Sequence, residues 1–593
     1  MAINKKYSRL AFVTVAISVL LVLSSLLNKF YSHNANIAST SLSMRLLDLN
    51  KLPLGSEQQD ISAQESRILE DLRETDTIVV SIGKKACFHI LTHLELCHSH
   101  GFHYRRDADV SISTHTIEKD LQESKRNNLF GFSSYLTYDT ITVEETLKYL
   151  SQLKDDKDSK LMGFVNLEKV TSDKEQHWSF DAAKLTFKSL SLINFISDLN
   201  VLYGEDCRDP RPNWEIYRDS SICNGKVPCF LARAKLKPSV TGTEAISLRA
   251  DNQNKFKIVQ LADLHFSVGK GKCRDEYPPN EKCEADPKTL DFIESVLDIE
   301  QPNLVVFTGD QIMGDECKLD SESALLKVID PVVKRKIPYT MVWGNHDDEG
   351  SLNRWELSQL IESMPYSVFK ANPYDSDDNS FGVGNYVQYV WDEHGSPMMA
   401  LYFLDSHKYS PNPRAYPGYD WIKEAQWSYF RDVKTNFSKI LDPNSSMILS
   451  MAFFHIPLPE YVNLNSVQSS EKTNPIVGSL KEGITAPKYN TGGVETLQDL
   501  GVTVASVGHD HCNDYCLLDD SHLTKDKSRV WLCYGGAAGE GGYAGYGGTE
   551  RRIRIFDVDL SKGEIHTWKR LNGSPQKIFD RQTLVIGGVP NIA

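Results

Sequence analysis

Five short segments carry most of the residues in this chain that could do metal or acid–base chemistry. Each follows an apolar run: Asp263-Leu-His265, Gly309-Asp310, Gly344-Asn345-His346-Asp347, His455, and Gly508-His509-Asp510-His511. Carboxylates and imidazoles together suit borderline divalent ions such as Mn2+, Fe2+ and Zn2+. One carboxylate can bridge two such ions about 3.5–4 Å apart, an arrangement that clamps both the attacking and the leaving oxygen of a phosphoryl displacement. Asn345 is a neutral oxygen donor, which limits the negative charge facing a phosphate. His346, beside it, need not bind metal, and its imidazole is then available for proton transfer near neutral pH. One Asp-x-His after an apolar run is ordinary punctuation; five such endings in this order are a constellation.

The elements that must position these residues are legible from period and composition. Runs at Lys255–His265, Asn303–Asp310, Tyr339–Asp347, Met447–His455 and Val502–His511 read as strands. Helical stretches alternate with them. Asp286-Pro287 reads as an N-cap with proline at the first helical position, and Leu290, Ile293, Val296 and Leu297 fall on one face. This is the layout of an α/β domain, in which functional groups gather at the carboxyl ends of the strands. Gly309, Gly344 and Gly508 permit tight turns there.

The blocks "ADLH", "GDQIMGD", "GNHDD", "FFHIP" and "GHDH" resemble those of the calcineurin-like metallophosphoesterases, over residues 255–559. The flanking "LDSHKYSP", "GYDWIKEAQ" and "WLCYGGAAGEGGYAGYG" resemble a fungal and plant branch, that of the dosage-dependent cell-cycle regulator phosphatases and the purple acid phosphatase 28/29-like proteins. The resemblance implies an α/β fold, a metallophosphoesterase β-sandwich flanked by helices. It implies that Asp263, His265, Asp310 and His511 hold one metal and Asp310, Asn345, His455 and His509 the other. A metal-bridging hydroxide would attack phosphorus, His346 would assist the leaving oxygen, and Asp347 would orient and charge-tune His346. The implied activity is that of a phosphomonoesterase, with protein Ser/Thr phosphatase action in a regulatory, cell-cycle role, on a phosphoprotein or small phosphomonoester. Purple enzymes carry a tyrosine three residues after the bridging aspartate; Met313 stands there in this chain. A purple ferric–tyrosinate centre is therefore not expected, and Mn2+, Fe2+ or Zn2+ remain. The alternatives are a phosphodiesterase or nuclease on the same scaffold, and a membrane-tethered binding protein that has lost catalysis.

Bulk properties narrow these classes. The net charge of −14 over 593 residues argues against a nucleic-acid partner held by a basic surface. Leu10–Leu27 carries no charged residue and would span roughly 27 Å as a helix, close to a hydrocarbon core of about 30 Å. Lys5, Lys6 and Arg9 precede it, so a type II signal-anchor is expected, with the catalytic domain lumenal or external; a cleaved signal and a cytoplasmic-facing domain are the rivals. Sequons at Asn436, Asn444 and Asn572 agree with a secretory route. Of eleven cysteines, Cys273/Cys283, Cys223/Cys229 and Cys512/Cys516 are close enough to pair. The expected organisation is an anchor over 1–30, a polar stem over 31–75, a mixed α+β region over 76–245, a catalytic domain over 251–570 and a tail over 571–593.

Weaker features have plain readings. His89, His93, His98, His100 and His103 read as scattered histidines rather than a metal tract, and Asp348 and Glu349 as solvated turn carboxylates. Arg551 and Arg552 are open between phosphate binding and a strand-edge role. Tyr543 and Tyr546 read as packing, with a substrate mouth as the alternative, and His407 as structural. The glycine-rich Gly535–Gly548 lacks the lysine of a nucleotide cradle.

Overall fold

A computed structural model describes residues 76–90, 94–100, 111–123, 130–145, 165–172, 178–184, 196–235, 246–276, 279–280, 282–371, 379–440, 449–463, 476–544 and 550–592. The expected span Leu10–Leu27 and the stem lie outside the described residues. Among the described residues, no helix is long and apolar enough to cross a membrane.

The chain divides into two compact units, Met1–Val201 with Asn213–Gly242, and Leu202–Pro212 with Thr243–Ala593. The described part of the first is chiefly β rather than mixed. A four-stranded sheet runs in the order Leu94–His100, Thr77–Ile90, Phe130–Thr142, Ser113–Ile117. Cys87 lies directly opposite Cys97 in that sheet and is bonded to it. Thr142 ends the strand Phe130–Thr142, and residues 143–145 after it are helical. His89, His98 and His100 lie on the paired strands Thr77–Ile90 and Leu94–His100; His93 and His103 lie outside the described residues.

The second unit is built from two seven-stranded sheets. In one, Lys255–Leu261, Leu304–Thr308 and Tyr339–Val342 are parallel neighbours, and Arg552–Asp559 pairs antiparallel with the first of them. In the other, Pro397–Phe403, Leu449–Phe453, Val504–Val507 and Val530–Tyr534 are parallel in that order. Leu304–Thr308 and Leu449–Phe453 are buried at every position, as expected for parallel strands covered on both faces. The sheets meet through Gln260, whose amide donates to the Val507 carbonyl at 3.0 Å and whose oxygen accepts from Ser506 Oγ at 2.6 Å. Helices Glu424–Ile440 and Gly493–Leu500 bury Trp427, Phe430, Val494 and Leu497 with Tyr402, Tyr461 and Tyr534.

Several expectations change. Residues 571–593 are not a tail: Ser574–Ile586 pairs with Glu564–Leu571 and extends the first of these sheets. Leu202–Pro212 joins the second unit because Tyr203 N donates to Ser323 Oγ at 2.8 Å, Lys327 pairs with Asp206 at 2.8 Å and Arg208 with Asp330 at 2.7 Å, all on helix Ser321–Lys334. The helix expected to start at an Asp286 cap begins at Ala285 with Glu284 as N-cap. Asp286 lies inside the first turn, where it accepts from Ser267 N and pairs with Lys327. Cys273–Cys283 and Cys223–Cys229 are bonded. Cys516 bonds Cys533, which it faces across an antiparallel pair, so Cys512 stays a buried thiol.

Candidate metal centre

The first three parallel strands of one sheet and two adjacent parallel strands of the other end at the same place. Lys255–Leu261 delivers Asp263 and His265, Leu304–Thr308 delivers Asp310, and Tyr339–Val342 delivers Asn345 and His346; Leu449–Phe453 delivers His455, and Val504–Val507 delivers His509 and His511. The parallel ladder continues past the strand ends: Asp263 N donates to Gly309 O at 3.1 Å, His265 N to Asp310 O at 2.9 Å and Phe266 N to Gln311 O at 3.0 Å. Asp263, His265, Asp310 and His509 hold left-handed backbone, with φ of 53, 53, 51 and 76°. Such strain in residues other than glycine gathers at functional sites, where surrounding contacts enforce it. Gly309, at φ +92°, leaves room for His455: a Cβ there would lie 2.2 Å from its Nδ1.

Two donor groups result, Asp263/His265/Asp310/His511 and Asp310/His455/His509, and Asp310 is common to both. Within each, the ligand atoms all lie within 4.8 Å of one another. Asn345 Oδ1 joins the second group, 3.2 Å from His455 Nε2. The seven residues proposed as ligands are thus brought together, and all are buried.

The hydrogen-bond pattern shows what would satisfy them. His455 Nδ1 faces the Thr308 carbonyl at 2.9 Å and so carries hydrogen. Its Nε2 faces Asn345 Oδ1, Asp310 Oδ2 at 3.4 Å and His509 Nδ1 at 3.2 Å. In the other group His511 Nδ1 donates to Tyr543 O at 2.8 Å, which turns its Nε2 lone pair on His265 Nε2, 3.1 Å away. Imidazole, carboxylate and amide-oxygen donors converging at these distances fit a divalent metal in each group.

The charge balance agrees. Burial holds His265 and His509 well below the usual histidine range and lowers His511 to about 3, so these rings are neutral donors. Burial also works to lower His455, but Asp310, Asp263 and the Thr308 carbonyl together lift it to about 9. Burial pushes Asp263 up. It works the same way on Asp310, where His455 and His265 overcome it and hold the carboxyl well down. One cationic position is therefore already favoured between His455 and Asp310.

The turn after Asn345 departs from expectation. Asp347, expected to orient His346, instead accepts from the amides of Gly344, Asp310 and Ile312 at 2.7, 3.1 and 3.1 Å. It ties the third strand-end loop to the second, and burial with the nearby Asp310 raises it to about 7. The carboxylate on His346 Nδ1 is that of Glu349, at 2.8 Å. Asp348 is not solvated either: it pairs with Lys408 at 2.7 Å and Arg354 at 3.6 Å.

Around the donors, the glycine-rich segment does work that its composition alone did not reveal. A Cβ on Gly542 would lie 2.6 Å from both the His265 and His511 rings, and one on Gly539 would lie 1.9 Å from Leu264 O. Tyr543 stacks on His511 with centroids 3.9 Å apart. Arg551 holds this segment, donating to Gly542 O at 2.8 Å and Tyr543 O at 2.9 Å, while Arg552 pairs with Asp514 at 2.8 Å. Both arginines are buried and engaged, which sets aside the phosphate-binding option. Tyr546 lies outside the described residues. His407 is structural, its Nε2 2.8 Å from Gln426 Oε1. On the second group, Asn345 Nδ2 donates to Tyr409 OH at 3.4 Å and Tyr419 sets its ring 4.4 Å from that of His509; neither tyrosine was singled out from the sequence. Of the sequons, Asn436 is exposed on a helix, Asn572 donates to Glu540 Oε1 at 2.9 Å, and Asn444 lies outside the described residues.

Comparison with known proteins finds a matching family and relatives along much of the chain. The family model described as calcineurin-like phosphoesterase matches residues 256–513. Phosphatase DCR2 of Saccharomyces cerevisiae is 46% identical over 542 residues, 88% of this chain and 90% of its own length. A protein of Arabidopsis thaliana named probable inactive purple acid phosphatase 29 is 33% identical, over 61% of this chain and 91% of its own. Among solved structures, a dimetal phosphatase from Danio rerio aligns over 56% of this chain and 99% of its own, with 13% identity and a TM-score of 0.37.

Proposed function

The chain belongs to the calcineurin-like phosphoesterases, and from that premise we propose that it is a dinuclear-metal phosphomonoesterase acting on phosphoserine and phosphothreonine in proteins, in a regulatory role. The observation that carries this reading is the sharing of Asp310 by two buried groups whose ligand atoms converge. Two divalent ions held there, Mn2+, Fe2+ or Zn2+, would supply Lewis acidity to the phosphoryl oxygens and acidify the attacking water. The chain's own residues do the rest. Asp310 fixes the spacing of the two positions. Asn345 contributes an oxygen without charge, which eases the approach of an anionic phosphate. His346, half-buried at the rim with its ring 5.6 Å from that of His265, gives a proton to the leaving oxygen. Buried Met313 offers only a thioether where a tyrosinate ligand would be needed, which supports a colourless divalent pair. The relative named a phosphatase along most of its length supports the monoester over the diester. The type II topology belongs to this proposal too, supported by the uncharged Leu10–Leu27 and the basic residues before it; protease protection on intact membranes, with glycosidase treatment, tests it, and exposed, unglycosylated chains would overturn it.

The test of the activity is turnover by the full-length chain on p-nitrophenyl phosphate, its bis-ester and a phosphoserine peptide. Hydrolysis of the monoester and the peptide is expected. Preference for the bis-ester would make the enzyme a phosphodiesterase, and no turnover with metal bound would make it a binding protein.

A further inference from the structure

We infer that Glu349 is the positioning residue for His346, and that this pair equips the centre for phosphomonoesters with alkoxide leaving groups over those with aryloxide leaving groups. The inference rests on the phosphomonoesterase reading and names the residue pair through which that site would favour such alkyl esters over aryl esters.

Three consecutive carboxylates follow His346, and the fold gives each a different partner. Asp347 is taken by three backbone amides and Asp348 by Lys408 and Arg354. Glu349 closes the 3-10 turn Asp347–Glu349, its amide donating to His346 O at 3.2 Å. In such a turn, side chains three apart eclipse one another, and Glu349 Oε2 meets His346 Nδ1 at 2.8 Å. The turn is wedged against Gly314, where a Cβ would lie 2.1 Å from His346 O and 2.8 Å from Glu349 Cβ. His346 is held from its other side too, its amide donating to Asp310 Oδ1 at 2.9 Å. Ring and carboxylate are therefore fixed relative to the donor groups, while 30% of the His346 side chain remains open to a substrate.

With Nδ1 committed to the carboxylate, Nε2 is the nitrogen that carries the transferable proton. In the step assigned to it, the bond from phosphorus to the substrate's alkyl oxygen breaks and its electron pair passes to that oxygen. The oxygen takes the Nε2 proton and leaves as the alcohol. The attacking water forms the new bond to phosphorus and releases its proton to solvent, and the imidazole is left neutral on Glu349. An alkoxide, like hydroxide, is the base of a very weak acid and a poor leaving group, whereas an aryloxide is the base of a much stronger acid and leaves far more readily. A fixed proton donor accelerates the first far more than the second.

The experiment compares wild type, Glu349→Ala and Glu349→Gln, as full-length chains, on a phosphoserine peptide and on p-nitrophenyl phosphate, with bound metal measured for each. Glu349→Ala is expected to lower kcat on the peptide about tenfold more than on the aryl ester, on the scale of outer-shell partners, with KM and metal content held. Glu349→Gln, which keeps an acceptor at Nδ1, should recover part of the selective loss; if the alanine variant does not fold, a selective loss in Glu349→Gln decides in favour. Equal losses on both substrates, or loss of metal, overturn the inference while leaving the phosphomonoesterase intact. A wild type inactive on both monoesters overturns both together.

Discussion

The two donor groups that share Asp310 are held in place by different means. The Asp263/His265/His511 group leans on a distant segment: Tyr543 O fixes His511, Gly542 lies flat against both imidazoles, and Arg551 pins the carbonyls of that segment. The Asn345/His455/His509 group leans on the sheets themselves, through Thr308 O and Ser406 Oγ on His455, and on the outer tyrosines Tyr409 and Tyr419. In the first group, bare glycine backbone lies against the rings; in the second, the core sets the ligand directly. Among the described residues, His265 Nδ1 and His509 Nε2 find no hydrogen-bond partner, so each group contains one ring whose polar contacts run only through the nitrogen that faces the other donors. One group should thus be separable from the other by changes far from any ligand.

Asp310→Ala should erase the distinction, because both groups lose their common oxygen. Turnover is expected to fall more than about 10³-fold, the scale of removing a preorganised charge contact from a transition state, with both ions lost in elemental analysis. Gly309→Ala and Gly542→Ala should split the pair. The first drives a methyl group into His455 and adds strain at φ +92°, and the second drives one between His265 and His511. Each is expected to keep about one metal per chain and to lose roughly 100-fold in turnover, at the upper end for disturbed outer shells. Arg551→Ala should weaken only the first group, by about tenfold in metal affinity measured by competition with a chelator. Tyr409→Phe should act only on the second, raising KM about two- to threefold, since a neutral hydrogen bond of 3.4 Å contributes little. Equal effects of Arg551→Ala on both ions would dissolve the comparison.

The strands and their polar endings were legible because a buried parallel strand is a continuous apolar run, and a ligand placed just after it interrupts that run sharply. What stayed hidden depends on pairing and on empty space. Nothing in "HDDE" says which of three adjacent carboxylates meets the imidazole; the 3-10 geometry selects Glu349. The glycine-rich segment read as low complexity because its contribution is the absence of Cβ atoms, which acquires meaning only against His265 and His511. Cys516 pairs with Cys533 rather than Cys512 because of strand register. Ser574–Ile586 looked like a tail because its middle is exposed, which leaves no clear alternation to read. The density of glycine directly after the strand "VWLCY", followed by Arg551 and Arg552, was the signal that could have marked the segment as a clamp.

The most direct measurement is stepwise metal reconstitution of the full-length chain, stripped by chelation, with turnover of a phosphoserine peptide followed against bound Mn2+ or Zn2+. Activity that appears only as the second ion binds, at about two per chain, is the expected result for a bridged pair. Full activity at one ion per chain, or with none, would contradict a centre in which Asp310 serves two metals.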